Sequence, residues 1–166
     1  MKILETEKLI LRDLETGDLD SLAVIYADAD VMKYIGTGKT FTREQTKASI
    51  DRWKAYREKN GYSNWAVADK SSGALIGKCG FSDLPDNLGI EISYLFTKNR
   101  WGKGIASEIS LATLDYGFSI LNLEKIKGFV YPENTASIRV IEKMGMKFEK
   151  EVEYFGVNPR MFSIDI

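Results

Sequence analysis

Three observations predict a mixed α/β (α+β) fold with one central, mostly antiparallel sheet flanked by helices. Between residues 63 and 96 the β-rich runs SNWAVADK, ALIGKCGFSDL and GIEISYLF are separated by little more than SSG and PDNLG, which are hairpin turn signals. A Gly-rich turn, NRWGKGIA (99–106), joins the last of these runs to the long helical pattern SEISLATLDYGFSIL (107–121). The strand-like KIKGFVY (125–131) comes next, completing a βαβ-like step.

The elements follow in order. KLILRDL (8–14) alternates briefly between apolar and polar residues and reads as a strand. Thr16, Gly17 and Asp18 lead into DLDSLAVIYAD, whose Leu19, Leu22, Ala23 and Tyr26 share one helical face. A second helix starts at the cap candidate Thr42, with Gln45 three residues on. It carries Ile50, Trp53 and Tyr56 at helical spacing and stops at Gly61. After the three-stranded meander, a helix from about 102 to 121 precedes the strand 125–131, which Pro132 closes; Asn134 then opens a helix that ends at Gly145. KFEKEVEYF (147–155) and RMFSIDI (160–166) read as two final strands. The expected order is β-α-α-β-β-β-α-β-α-β-β. No repeat, low-complexity tract or linker interrupts it, so one domain over 1–166 is expected.

Composition narrows the chemistry. A chain of 166 residues with 44% apolar content builds a core without disulfides or metal. The single Cys79, and the absence of an apolar leader in MKILETEKLILRDLE, point to a reducing, cytoplasmic setting. No apolar run approaches a membrane span. With 23 basic and 24 acidic side chains there is no overall field to hold nucleic acid. The chain has no His, which removes the usual general base, the usual zinc ligand and every Ser-His or Cys-His pair. A base must then be a carboxylate, Tyr, Lys or a held water.

The turn at 99–106 breaks out of a strand and opens a helix, so unpaired N–H groups gather at the positive end of a helix dipole. Gly102 and Gly104 lack a Cβ and let an anion approach the main chain. Taken alone, two readings stand: a phosphate cradle or a plain strand-to-helix turn. A dinucleotide fingerprint needs Gly where Ser107 stands, and no Gly-Lys-[Ser/Thr] follows. GTGKT (36–40) is not a Walker loop either, because that pattern requires Gly at position 33, where Lys33 stands, and a buried strand before it.

A second segment, KIKGFVYPENTASIRVIEKMGMKFE (125–149), carries Asn134, Ser137, Glu142, Lys143 and Gly145 in the spacing N-x-x-S-x-x-x-x-E-K-x-G. Together with W-G-K-G-I-A at 101–106, it resembles the GNAT superfamily of acetyl-CoA-dependent N-acetyltransferases over essentially the whole chain. The likeness is to the branch containing the N-terminal (alanine/serine) acetyltransferases of ribosomal proteins. In the family pattern [QR]-x-x-G-x-[GA], Trp101 departs from Gln/Arg, and Gly102, Lys103, Gly104, Ile105 and Ala106 fill the remaining positions.

The resemblance implies a GNAT-like sheet in which the strand 89–96 splays from the strand 125–131, leaving main-chain groups near Leu95 and Phe96 to pair with the pantetheine arm of acetyl-CoA. It implies a pyrophosphate site at Trp101–Ala106 and a role for Asn134 as cofactor contact, helix cap or both. Glu91 stands where many members carry a base acting through water, or else a structural carboxylate. An acceptor ammonium of pKa about 10.4, or near 8 for an α-amine, must lose a proton before attack. The tyrosine many members use toward the leaving thiolate would fall at Ile141, which makes Ser137 the substitute. Lys103 is equally a phosphate contact or a solvated lysine. Trp53, Tyr56, Trp65 and Phe81 are acceptor-site candidates against a core assignment, and Cys79 reads as an inert buried thiol.

The expected activity is direct acetyl transfer to a primary amine, a protein N-terminal α-amine in the first place. The alternatives are a polyamine or aminoglycoside-like acceptor and a non-catalytic acyl-CoA-binding module. The expected partners are acetyl-CoA and the amine, without nucleic acid, membrane or metal, in a monomer or homodimer.

Overall fold

A computed structural model describes residues 1–153 and 156–166. Its strands are β1 (Lys2–Glu5), β2 (Leu9–Arg12), β3 (Asn64–Asp69), β4 (Leu75–Asp83), β5 (Ile90–Phe96), β6 (Lys125–Val130), β7 (Lys147–Glu151) and β8 (Arg160–Asp165). The helices are α1 (Leu19–Tyr26), α2 (Ala29–Met32), α3 (Arg43–Asn60), α4 (Ile105–Ser119) and α5 (Thr135–Lys143). All eight strands form one sheet in the order β1-β2-β3-β4-β5-β6-β8-β7. Only β5 and β6 run parallel; every other pair is antiparallel.

Two apolar layers cover the sheet. Strand alternation sends Trp65, Val67, Phe81, Ile92 and Phe96 to the face packed by α4 and α5. Ala66 and Leu95 go to the face packed by Leu22, Ile25, Met32 and Ile50 of α1, α2 and α3. The capping box is formed as the sequence predicts: Gln45 N–H donates to Thr42 Oγ1 (3.2 Å) and Thr42 N–H to Gln45 Oε1 (2.8 Å). Gly61, at φ 81°, ends the helix. Among the described residues no helix is long and apolar enough to cross a membrane.

The structure differs from the sequence reading in four places. β1 was not expected; it pairs with β2, and their turn is held because Glu108 Oε1 of α4 accepts from Thr6 Oγ1 (2.5 Å) and Lys8 N–H (3.0 Å). A four-residue helix, α2, follows the cap Asp28, whose side chain accepts from Asp30 N–H. α4 begins at Ile105 rather than near 102, because Gly102 and Gly104 sit at positive φ. β7 stops at Glu151, and the part of the expected strand at Tyr154 and Phe155 lies outside the described residues.

Candidate functional site

The site begins where two strands part. β5 and β6 are paired at Ile90 with Ile126 and at Glu91 with Lys127, and no further. From that fork β5 continues to Phe96 beside β4 alone, leaving about 17 Å of open strand edge for five residues. Gly89 O accepts from Leu84 N–H (2.7 Å) and Thr97 N–H donates to Ile76 O (2.9 Å), so the odd-numbered residues between them turn their main-chain groups toward β4. Ile92, Tyr94 and Phe96 therefore turn theirs toward the gap. Of the two residues expected along the thiol arm, Phe96 faces the gap. Leu95 faces β4 and buries its side chain among α1–α3.

The loop lies at the open end of this gap. Gly104 takes φ 76° as the N-cap of α4 and has no side chain to cap it. The first amide bonded back into the helix is Glu108, to Gly104 O at 3.0 Å, so the N–H groups of Ile105, Ala106 and Ser107 have no helical acceptor. A Cβ at Gly102 or Gly104 would meet nothing within 4 Å, so the positive φ rather than crowding selects glycine there. Trp101 donates its indole N–H to Phe96 O (3.0 Å) and keeps its ring half in solvent, which ties the loop to the end of β5. Lys103 is exposed.

Glu91 projects from the fork on the α1–α3 face, half-buried. Burial pushes its carboxyl above the usual carboxylate range, against the opposing pull of the Lys78 charge and of a hydrogen bond from Ser82 Oγ (3.2 Å). Beside it on the same face is a residue that sequence reasoning passed over. Lys78 is buried, and its ammonium donates to Asn64 Oδ1 (2.8 Å) and Ser93 Oγ (2.7 Å). Desolvation lowers its pKa to about 8. Its position in β4 carried a signal, a charged residue inside the otherwise apolar run 75–81.

On the opposite face, α5 brings Asn134 and Ser137 to the other side of the gap. Asn134 Oδ1 accepts from Ser137 N–H (3.2 Å), the cap expected from sequence, and its Nδ2 donates to nothing among the described residues. Ser137 Oγ lies 2.8 Å from the hydroxyl of Tyr94 on β5. Burial raises that phenol to about 12. Tyr94 was also missed, because alternation in β5 reads it as a core aromatic. Ile141 is packed in the core against Gly128. Glu91 and Ser137 thus flank one fork from opposite faces of the sheet and do not touch.

The remaining candidates separate clearly. Trp65 and Phe81 are core residues. Trp53 lines a cavity of about 210 Å³ between α3 and the sheet, together with Asp13, Arg57 and Asn64. Cys79 is buried, and its thiol is pushed up by burial. GTGKT follows the short α2 rather than a strand, Lys39 is exposed, and the Tyr131 hydroxyl donates to Gly36 O.

Residues 8–147 match the family described as acetyltransferase (GNAT) domain. The chain is 36% identical to "Uncharacterized protein YkkB" of Bacillus subtilis, covering 90% of this chain and 87% of that protein. It is 35% identical to "Uncharacterized N-acetyltransferase p20" of Bacillus licheniformis, with coverages of 91% and 84%. A GNAT-family acetyltransferase structure from Bacillus anthracis superposes with a TM-score of 0.85 at 30% identity, covering 99% and 98% of the two chains. A ribosomal-protein-S5-alanine acetyltransferase from Vibrio fischeri gives 0.81 at 21% identity, with coverages of 99% and 96%. A spermidine N-acetyltransferase from Vibrio cholerae, solved with CoA and spermine, gives 0.78 at 24% identity and 96% coverage of both chains.

Proposed function

The chain belongs to the GNAT acetyltransferase family, and from that membership we propose that it binds acetyl-CoA in the gap between β5 and β6 and passes the acetyl group directly to a primary amine, an N-terminal α-amine of a protein in the first place. The observation that carries the reading is the fork itself: an unpaired strand edge that leads from Glu91 to a helix N-terminus with three open amides.

In this reading the amides of Ile105, Ala106 and Ser107 hold the pyrophosphate at the positive end of α4, with Lys103 adding charge. Gly102 and Gly104 keep the main chain open, and Trp101 fixes the loop to β5. The pantetheine arm lies along the edge as an added strand, bonding to gap-facing groups near Phe96. Leu95 shapes the opposite face rather than donating to the arm. Asn134, capping α5 through Oδ1, offers Nδ2 to the cofactor.

The thioester carbon then sits near the fork. Glu91 takes a proton from the acceptor ammonium, through water, on the α1–α3 face. The neutral amine attacks, and the tetrahedral intermediate collapses with the thiolate leaving toward the other face. There the paired hydroxyls of Tyr94 and Ser137 present an O–H to the departing sulfur. No covalent enzyme intermediate is required. Holding both reactants in register supplies a large part of the rate.

The form of the loop favours an α-amine. The buried cation of Lys78 on the acceptor face points the same way, because a polyamine would bring further positive charge beside it. A thiol-release assay across peptide N-termini, polyamines and aminoglycosides tests the assignment. Turnover with short peptides supports it, and turnover confined to polyamines replaces it. The reading also places the enzyme in the cytoplasm, where its cosubstrate and a reduced Cys79 are at home.

A further inference from the structure

Lys78 is a buried cation to which the transfer chemistry above assigns no part. The other buried charges have direct counterions: Asp18 takes Arg12 through two bonds of 2.8 Å, and Asp69 takes Arg100 at 2.9 Å. Lys78 instead has two neutral oxygens, on Asn64 and Ser93, and the ring of Trp53 at 5.6 Å. Among the described residues the one carboxylate acting on its charge is Glu91.

The register explains how they meet. Lys78 lies across from Leu95, Gly80 from Ser93 and Ser82 from Glu91, all on one face of the sheet. Gly80 presents no side chain between Lys78 and the Ser82–Glu91 pair. Ser93, bonded to Lys78, stands two residues along β5 from Glu91. A buried cation held by neutral groups is costly, and such a group persists where the surroundings require its charge.

We propose that Lys78 is a positioning residue for proton removal: its buried ammonium holds the Glu91 carboxylate ionised at the fork, ready to accept the proton of the acceptor amine. The inference rests on the reading of Glu91 as base. Burial disfavours both charges, and each offsets part of the penalty on the other.

The other charges around Glu91 are engaged elsewhere or lie at the edge. Lys127 of β6 is in register with Glu91, but its stem passes beside Gly89, with Cε 3.8 Å from where a Cβ would stand. Asp83 accepts from Tyr62 OH (2.9 Å) on the opposite face. On α1 and α3, Asp20 pairs with Arg43 (2.7 Å), Arg52 reaches Ser49 Oγ (3.3 Å) and Arg57 pairs with Asp13 (3.4 Å), while Lys54 and Glu58 line the cavity over Asn64. Arg12 of β2 is committed to Asp18.

The test is a carboxyl-carbon NMR titration of glutamate-labelled protein, with the Glu91 signal assigned by its loss in Glu91→Gln. Lys78→Met should raise the Glu91 midpoint by about one unit or more, Lys127→Met should move it less, and Lys78→Arg should largely restore it. If Lys78→Met does not fold, Lys78→Gln gives the same readout. The acid limb of kcat/KM should rise with the carboxyl midpoint while KM for acetyl-CoA holds. An unmoved Glu91 midpoint, or an equal shift from Lys127→Met, overturns the role of Lys78 and leaves Glu91 as base untouched. A midpoint that moves while the rate limb stays fixed overturns Glu91 as base, and the catalytic role of Lys78 falls with it.

Discussion

Replacing Lys78 by Met should make the protein more stable and the enzyme slower. Folding lowers the Lys78 pKa from an ordinary 10.5 to about 8, a cost on the order of 3 kcal/mol. Part of that gain is given back, since the ammonium's hydrogen bonds to Asn64 and Ser93 are lost. Asn64 Oδ1 keeps a donor in Ser93 Oγ at 3.2 Å, so no acceptor is stranded. A net gain of about 1–2 kcal/mol at pH 7 remains for an unbranched apolar side chain of similar length. The sign with pH is fixed. Between about 8 and 10.4 the unfolded chain binds a proton that the folded chain does not, so wild-type stability rises through that window. Below pH 8 the full penalty is present. The advantage of Lys78→Met should therefore be largest at pH 7 and shrink toward zero by about pH 10.5. Urea unfolding followed by Trp fluorescence reads it as a midpoint higher by roughly 0.5–1 M at pH 7. A variant less stable than wild type at pH 7, or a gap that is constant from pH 7 to 10, refutes the electrostatic reasoning.

Three further outcomes are expected. Glu91→Gln should lower kcat by about 10²–10⁴ with acetyl-CoA affinity unchanged; in the wild type, activity should fall as pH drops through a Glu91 pKa held above the usual carboxylate range. Calorimetric titration with acetyl-CoA and a pH–rate profile check both halves. Gly104→Ala should cost the fold about 1–2 kcal/mol, because φ 76° is strained for any residue with a Cβ, and should weaken acetyl-CoA binding at least tenfold. Thermal unfolding with and without ligand separates the two effects. Ser137→Ala and Tyr94→Phe should each slow turnover, and the double variant should be no slower than the worse single one, because the hydroxyls at 2.8 Å act as a pair. Additive losses in that cycle would show that they act separately.

What the sequence disclosed was mostly local. Thr42 with Gln45, Asn134 before a helix and the glycine at 61 each announce a cap or a stop that one short segment satisfies by itself, and each appears as expected. KILE was not read as a strand because the turn that folds it onto β2 is held from a distance, by Glu108 about a hundred residues away. The site divides in the same way. The loop and Asn134 belong to contiguous motifs. The pairing of Tyr94 with Ser137 and the diagonal of Lys78, Ser93 and Glu91 exist only once β4, β5 and α5 are assembled. A three-residue error in the start of α4 arose because helical apolar spacing was extended backward across two glycines whose φ the sequence favours but does not state.

The central claim is that the forked edge and the loop at 101–106 bind acetyl-CoA for transfer to an amine, and a thermal-shift titration with acetyl-CoA, using CoA, ATP and GTP as comparators, tests it most directly. At about 100 times Kd, a ligand that binds only the folded chain adds roughly 2.7 kcal/mol, which for a domain of this size is a rise of about 5–11 °C. The account predicts that rise with acetyl-CoA and CoA, and a rise about half as large or smaller in Gly104→Ala at the same ligand concentration. No shift with either, or a shift confined to ATP or GTP, would contradict it.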